Sequence, residues 1–119
     1  MKPGATGLKR LYDAAGFSAR GLAACWRSEA AFRQETAAAA VLIPAALYLG
    51  AGGLERAVLV ASVLLVLVVE LVNTSVEAIV DRLGDEPHPL AARAKDVGSA
   101  AVMLSLSQVG IVWALVLLG

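Results

Sequence analysis

Four polar residues, Glu70, Asn73, Glu77 and Asp81, recur at helical spacing inside the most apolar stretch of the chain. From Ala57 to Val69 that stretch is interrupted by Ser62 alone, so it reads as a helix that crosses a membrane. At about 100° per residue, Glu77 falls roughly 20° from Glu70, Asp81 about 20° to the other side, and Asn73 about 60° away. Three acids therefore share one side of one helix. An ionisable group in hydrocarbon costs on the order of 2.5–3.5 kcal/mol even on lenient insertion scales. The column must face protein, water or a cation, and because a lone subunit shelters little polar surface, oligomerisation is expected.

The rest of the composition agrees. Of 119 residues, 59% are hydrophobic and 17% charged, too apolar for an ordinary soluble domain and too short for more than one. We expect one all-α integral-membrane domain over residues 1–119. The formal net charge is zero and no basic block stands out, which argues against nucleic acid as a partner. Cys25 is the one cysteine, so no intrachain disulfide, zinc spacing or nucleophile motif can be built, and packing is its expected role. Met1 to Gln34 carry charges throughout, without the compact apolar core of a cleavable leader.

Residues from about 7 to 29 read as an amphipathic helix at the membrane surface, with Leu8, Leu11, Tyr12, Ala15, Leu22, Cys25 and Trp26 on its apolar side. Gly16 and Gly21 are places where it could bend or break. Three spans follow, at about 30–49, 54–83 and 91–118. Pro44 is a potential kink in the first, and Gly50-Ala51-Gly52-Gly53 makes a tight turn after it. The second, some 30 residues, is roughly 45 Å long as a helix, more than the hydrocarbon needs. Gly84 to Pro89 is a turn whose two prolines resist helix, with His88 as an exposed loop residue. Trp26 and Trp113 read as interfacial anchors, Arg20 and Arg33 as contacts to anionic headgroups, and Gly98 to Ala101 as a small-residue packing surface.

Basic residues set the orientation. Lys2, Lys9, Arg10, Arg20, Arg27 and Arg33 precede or open the first span, Arg82, Arg93 and Lys95 flank the second loop, and Arg56 alone lies by the first turn. The positive-inside rule puts the N-terminus and second loop in the cytoplasm and the C-terminus outside. Every strong candidate for chemistry then collects on the side that holds ATP. Carboxylates with an amide one turn away suit a hard cation such as Mg²⁺, whereas a lone His88 argues against zinc. Phosphoryl transfer needs metal, positive charge on the phosphates and a group to receive the hydroxyl proton, and Glu70, as the deepest acid, suits that last role. No Gly-rich phosphate loop of the Walker or protein-kinase type is present.

Three segments carry a resemblance: Ala31-Phe32-Arg33-Gln34-Glu35, the run from Glu70 to Arg82, and the run from Arg93 to Val102. In order and spacing they resemble the hallmark segments of the bacterial integral-membrane diacylglycerol kinases, over nearly the whole chain. The resemblance implies a homotrimeric bundle in the cytoplasmic (inner) membrane, with active sites shared between subunits. It implies transfer of the γ-phosphate of ATP to the primary hydroxyl of diacylglycerol, giving phosphatidic acid. By matching position, Glu70 would be the general base, and Glu29 and Glu77 would hold Mg²⁺. Arg10, Ser18, Glu29, Glu77, Lys95 and Asp96 would bind nucleotide, while Asn73, Ser99, Glu35 and Trp113 would bind or position the substrate. The chain departs from the family pattern at Phe17, where a tyrosine is familiar, at Asp13 for a lysine, at Ala23 for an arginine, and in the proline-enriched loop Glu86 to Leu90.

Two alternatives are set beside this reading. The related undecaprenol kinases look similar around Asn73 and Asp96, but the Ala31 to Glu35 segment resembles the diacylglycerol branch. A small non-catalytic membrane subunit would use Glu70 as a hydrogen-bonding group between helices, and Glu77 and Asp81 as a solvated helix end.

Overall fold

A computed structural model describes residues 6–84 and 86–119; Lys2, counted above for orientation, and Asp85 of the second loop lie outside the described residues. Among the described residues the regular structure is helical throughout, in four elements: α1 (Gly7–Ser28), α2 (Ala30–Leu49), α3 (Gly53–Arg82) and α4 (Pro89–Leu118).

Local chemistry explains each boundary. α1 and α2 are separated by Glu29 alone, whose extended backbone (φ −120°, ψ 108°) ends one helix and opens the next. Gly16 and Gly21 do not break α1, which runs through both, and α2 continues through Pro44. Between α2 and α3, Gly52 takes φ +93°, a conformation that side chains resist. The backbone of Gly50 is pressed against Arg56, so that a Cβ there would meet Arg56 Cγ at 2.6 Å. Glu55 Oε1 accepts from the Ala51 N–H at 3.0 Å and closes the turn.

The start of α4 differs from the sequence expectation. Pro89 is not part of a helix-resisting turn but opens the helix, where its missing N–H belongs to the donors a helix leaves unpaired anyway. His88 is the N-cap residue, its Nδ1 accepting from the Leu90 N–H at 3.1 Å. It is exposed, as expected, but structural.

α3 is the central element, packed against both α2 and α4, while α1 touches α2 and α3. On α2 the buried residues are Phe32, Ala39 and Ala46, seven apart; on α3 they include Leu59, Val63, Val66 and Glu70, at alternating steps of four and three. This spacing is that of a helix–helix seam in which side chains of one helix fit between those of the other. Small alanines on α2 let the helices approach closely. Glu70 occupies the next position of that apolar stripe, where the pattern calls for a hydrophobic side chain.

α3 and α4 are the two helices, among the described residues, long and apolar enough to cross a membrane. α2 is not one of them, because Arg33, Gln34 and Glu35 interrupt its first two turns. Large apolar side chains stand exposed on α2, α3 and α4 alike, among them Val41, Tyr48, Val68, Met103, Leu104 and Leu115. In water such a surface would be a liability.

Candidate active site

Glu70 is 4% exposed, and its Oε2 has no hydrogen-bond partner. A carboxylate in that position is normally paired, because burying an unsatisfied charged group costs more than most single contacts return. Here the neighbours aggravate the cost. Glu29, Glu35 and Glu77 all lie within electrostatic reach of Glu70, and Glu35 Oε2 is likewise buried without a partner. Three carboxylates, from the α1–α2 elbow, α2 and α3, thus each act on Glu70, and no salt bridge among the described residues offsets them there.

On the α3–α4 side, Asn73 Nδ2 donates to Glu77 Oε1 at 3.0 Å, one turn along α3. Asn73 Oδ1 points at the backbone of Gly98 and is buried without a partner; a Cβ at position 98 would collide with it. The small residue on α4 is therefore what admits the amide. One turn further, Lys95 Nζ pairs with Asp81 Oδ1 at 2.8 Å across α3 and α4, with Glu77 also near enough to act on the lysine. An apolar groove of about 580 Å³ runs between α3 and α4 past Val68, Val72, Val97 and Asn73. An open cleft of about 710 Å³ lies at the α3–α4 turn, lined in part by Asp81, Glu86, His88 and Lys95.

The structure thus sets Glu29, Glu35 and Glu77 within electrostatic reach of Glu70, ties Asn73 to Glu77 and leaves Lys95 near Glu77. Arg10 and Ser18 lie on exposed turns of α1, and Asp96 and Ser99 on exposed turns of α4. Trp113 stands elsewhere: its Nε1 donates to Ser62 Oγ at 3.0 Å, and Ser62 is two turns of α3 before Glu70. Among the described residues no three carboxylate, imidazole or thiol groups are grouped closely enough to hold a metal ion by themselves.

Several features were not singled out from the sequence. Thr36 Oγ1 is buried without a partner beside Glu35, as is Asp13 Oδ2 on α1. Gln108 Nε2 donates to the carbonyls of Ser62 at 2.7 Å and Ser105 at 2.9 Å, making with Trp113 a polar node in the distal half of the bundle. Arg33 donates through Nη1 to the carbonyls of Trp26 at 2.6 Å and Arg27 at 3.3 Å. Cys25 is buried as expected, with its Sγ 3.5 Å from Thr74 Oγ1. Arg20 lies over the Phe17 ring, 4.8 Å from its centroid, a one-turn pairing within α1.

Four helices and no strand among the described residues, two of the helices apolar and of bilayer length, with a buried carboxylate at Glu70, fall in the class of small helical membrane proteins. The family model described as prokaryotic diacylglycerol kinase matches residues 16–117. The chain belongs to that family. It is 44% identical over 117 residues to the diacylglycerol kinase of Escherichia coli (strain K12), covering 98% of this chain and 96% of that one. Against the diacylglycerol kinase of Pseudomonas aeruginosa it is 49% identical over 116 residues, 98% and 94% of the two chains. With that of Haemophilus influenzae the identity is 46% over 108 residues, 91% and 92% of the two.

Proposed function

We propose that this chain is an ATP-dependent lipid kinase that phosphorylates 1,2-diacylglycerol to phosphatidic acid at the cytoplasmic face of the bacterial inner membrane. Family membership supports the activity. The observation that carries the site is the buried, unpartnered Oε2 of Glu70 among three further carboxylates. Such an arrangement is costly for folding alone and is accounted for by a reaction that brings in a proton and a cation.

Glu70 receives the proton of the lipid's primary hydroxyl. The hydroxyl oxygen bonds to the γ-phosphorus, the bond to the β–γ bridging oxygen breaks, and ADP leaves. Glu29 and Glu77 supply oxygen donors of the kind that suit Mg²⁺, and Asn73 holds Glu77 in place through its amide. These residues fit a cation that keeps several waters and takes phosphate oxygens, since one or two carboxylates are its usual protein share. When bound, Mg²⁺ would neutralise the charge that develops on the transferred group. Lys95 exchanges Asp81 for phosphate, with Asp96, Arg10 and Ser18 completing the nucleotide contacts. Glu35, Ser99 and Trp113 bind or position the acceptor lipid.

The apolar exterior of α2, α3 and α4 supports a single three-span membrane domain, with α1 lying on the membrane surface and its Leu8, Leu11, Tyr12 and Trp26 exposed to lipid. It equally supports a homotrimer in which neighbours complete each site, because Asp96 and Ser99 are exposed in the single subunit. The N-terminus is cytoplasmic and the C-terminus periplasmic. Purified protein in lipid should transfer labelled γ-phosphate to diacylglycerol far faster than to undecaprenol, and only with Mg²⁺ present. The reverse ranking of acceptors would assign the chain to the polyprenol branch.

A further inference from the structure

The elbow that carries Glu29 is held in a way neither its sequence nor its family label announces. Glu29 is the single non-helical residue between α1 and α2, so its carboxylate direction depends on the angle between those helices. Both of its peptide groups are fixed: its N–H donates to the Cys25 carbonyl at 2.9 Å, and its carbonyl accepts from the Arg33 N–H at 3.3 Å. The last carbonyls of a helix have no partner within it. In α1 those of Trp26 and Arg27 are taken by the Arg33 guanidinium at 2.6 and 3.3 Å. One residue of α2 therefore grips the elbow twice, by its backbone and by its side chain. The guanidinium is directed to carbonyls, and among the described residues Glu29 has no ion-pair partner, so its charge is left available toward Glu70.

We propose that Arg33 is a positioning residue, clamping the α1–α2 elbow so that the Glu29 carboxylate stays directed toward Glu70 to receive the cation–nucleotide complex. The inference rests on the reading of Glu29 as a group that holds Mg²⁺ and nucleotide. Arg33 touches neither; it acts through Glu29, as outer-shell partners of metal ligands do.

The test is equilibrium binding, without turnover, of the Mg²⁺ complex of a non-hydrolysable imido analogue of ATP to the full chain in bicelles that contain no diacylglycerol. Helicity and oligomeric size are checked for each variant. Arg33→Met should weaken binding by about tenfold or more, the usual cost of losing an outer-shell partner. Arg33→Lys, which keeps the charge but cannot fork to two carbonyls, should lose severalfold, and this milder variant carries the test if Arg33→Met does not fold. In a Glu29→Gln background each Arg33 substitution should add less than about twofold, because a residue that works only through Glu29 has nothing further to lose.

Wild-type affinity in both Arg33 variants overturns the proposal, provided Glu29→Gln itself binds weakly. An equal loss in both backgrounds also overturns it, because the guanidinium would then be meeting phosphate directly. Unchanged affinity in Glu29→Gln overturns the assignment of Glu29, and this inference with it.

Discussion

α3 buries two polar side chains on the same seam, Ser62 at 5% exposure and Glu70 at 4%, and the molecule treats them in opposite ways. Ser62 is fully used. Its hydroxyl donates to the Leu59 carbonyl at 2.7 Å and accepts from Trp113, while its own carbonyl accepts from Gln108. Glu70 has an oxygen with no partner and three carboxylates for neighbours. In a low-dielectric interior a satisfied network fixes how helices meet, whereas an unsatisfied one raises the energy of the empty state. The distal node is the part of α3 that holds the bundle together. The acidic end carries a buried oxygen without a partner, as the proposed site requires.

The largest effect should therefore come from Glu70→Gln. It is nearly isosteric and removes a charge, so the bundle should assemble as well as the parent or better, while phosphate transfer to diacylglycerol falls by about 10²–10⁴-fold, the usual range for a lost general base. Full activity in this variant would remove Glu70 from the chemistry; loss of assembly would make the acid a structural glue like Ser62.

Next comes Gly98→Ala. Its Cβ would occupy the space of Asn73 Oδ1, so Asn73 must turn away and release Glu77. Turnover should drop by roughly tenfold or more, as when an outer-shell hydrogen bond to a metal ligand is removed. Gly110→Ala on the same helix is the control, since a Cβ there meets nothing within 4 Å. Assays of the pair that show equal activity would mean that the close fit at Gly98 is packing without consequence.

How much of this was legible beforehand follows the same division. The periodicity of Glu70, Asn73 and Glu77 was visible because all three lie on one helix, and α2 spans Ala30–Leu49 as expected because a glycine-rich run ends it. The side of the membrane on which Glu29 and Glu35 lie follows from the basic residues, but their roles come only from the family resemblance, since nothing in their spacing ties them to a residue 35 or more positions away. The bonds of Arg33 to backbone carbonyls are not legible in the sequence, because such partners leave no trace in a pattern of side chains. Trp113 reads as an anchor from its place near a helix end, yet its N–H is committed to Ser62, 51 residues earlier. The start of α4 lies two residues before its expected place at 91, because a proline that breaks a helix interior is also favoured as a first helical residue.

The distal node gives a smaller effect of the opposite kind. Gln108→Leu and Ser62→Ala each remove hydrogen bonds between α3 and α4, which in membrane bundles are worth about 0.6 kcal/mol on average and up to ~2. Thermal or denaturant unfolding in micelles should shift by that amount, and turnover per folded molecule below the transition should stay within about twofold of the parent. A large loss of turnover at unchanged stability would place the node in the reaction and erase the contrast with Glu70.

The smallest stability effect belongs to the pair Lys95–Asp81, whose side chains are 49% and 65% exposed. Exposed pairs contribute little, because solvent screens them and holding two side chains costs entropy. Asp81→Asn should thus leave unfolding almost unchanged. If Lys95 leaves Asp81 for phosphate when nucleotide arrives, removing the competing carboxylate should not raise the half-saturating MgATP concentration. Lys95→Met should raise it strongly at the same small cost in stability. Equal kinetic losses in the two variants would instead make the ion pair itself the functional unit, with Asp81 holding Lys95 in place rather than competing for it.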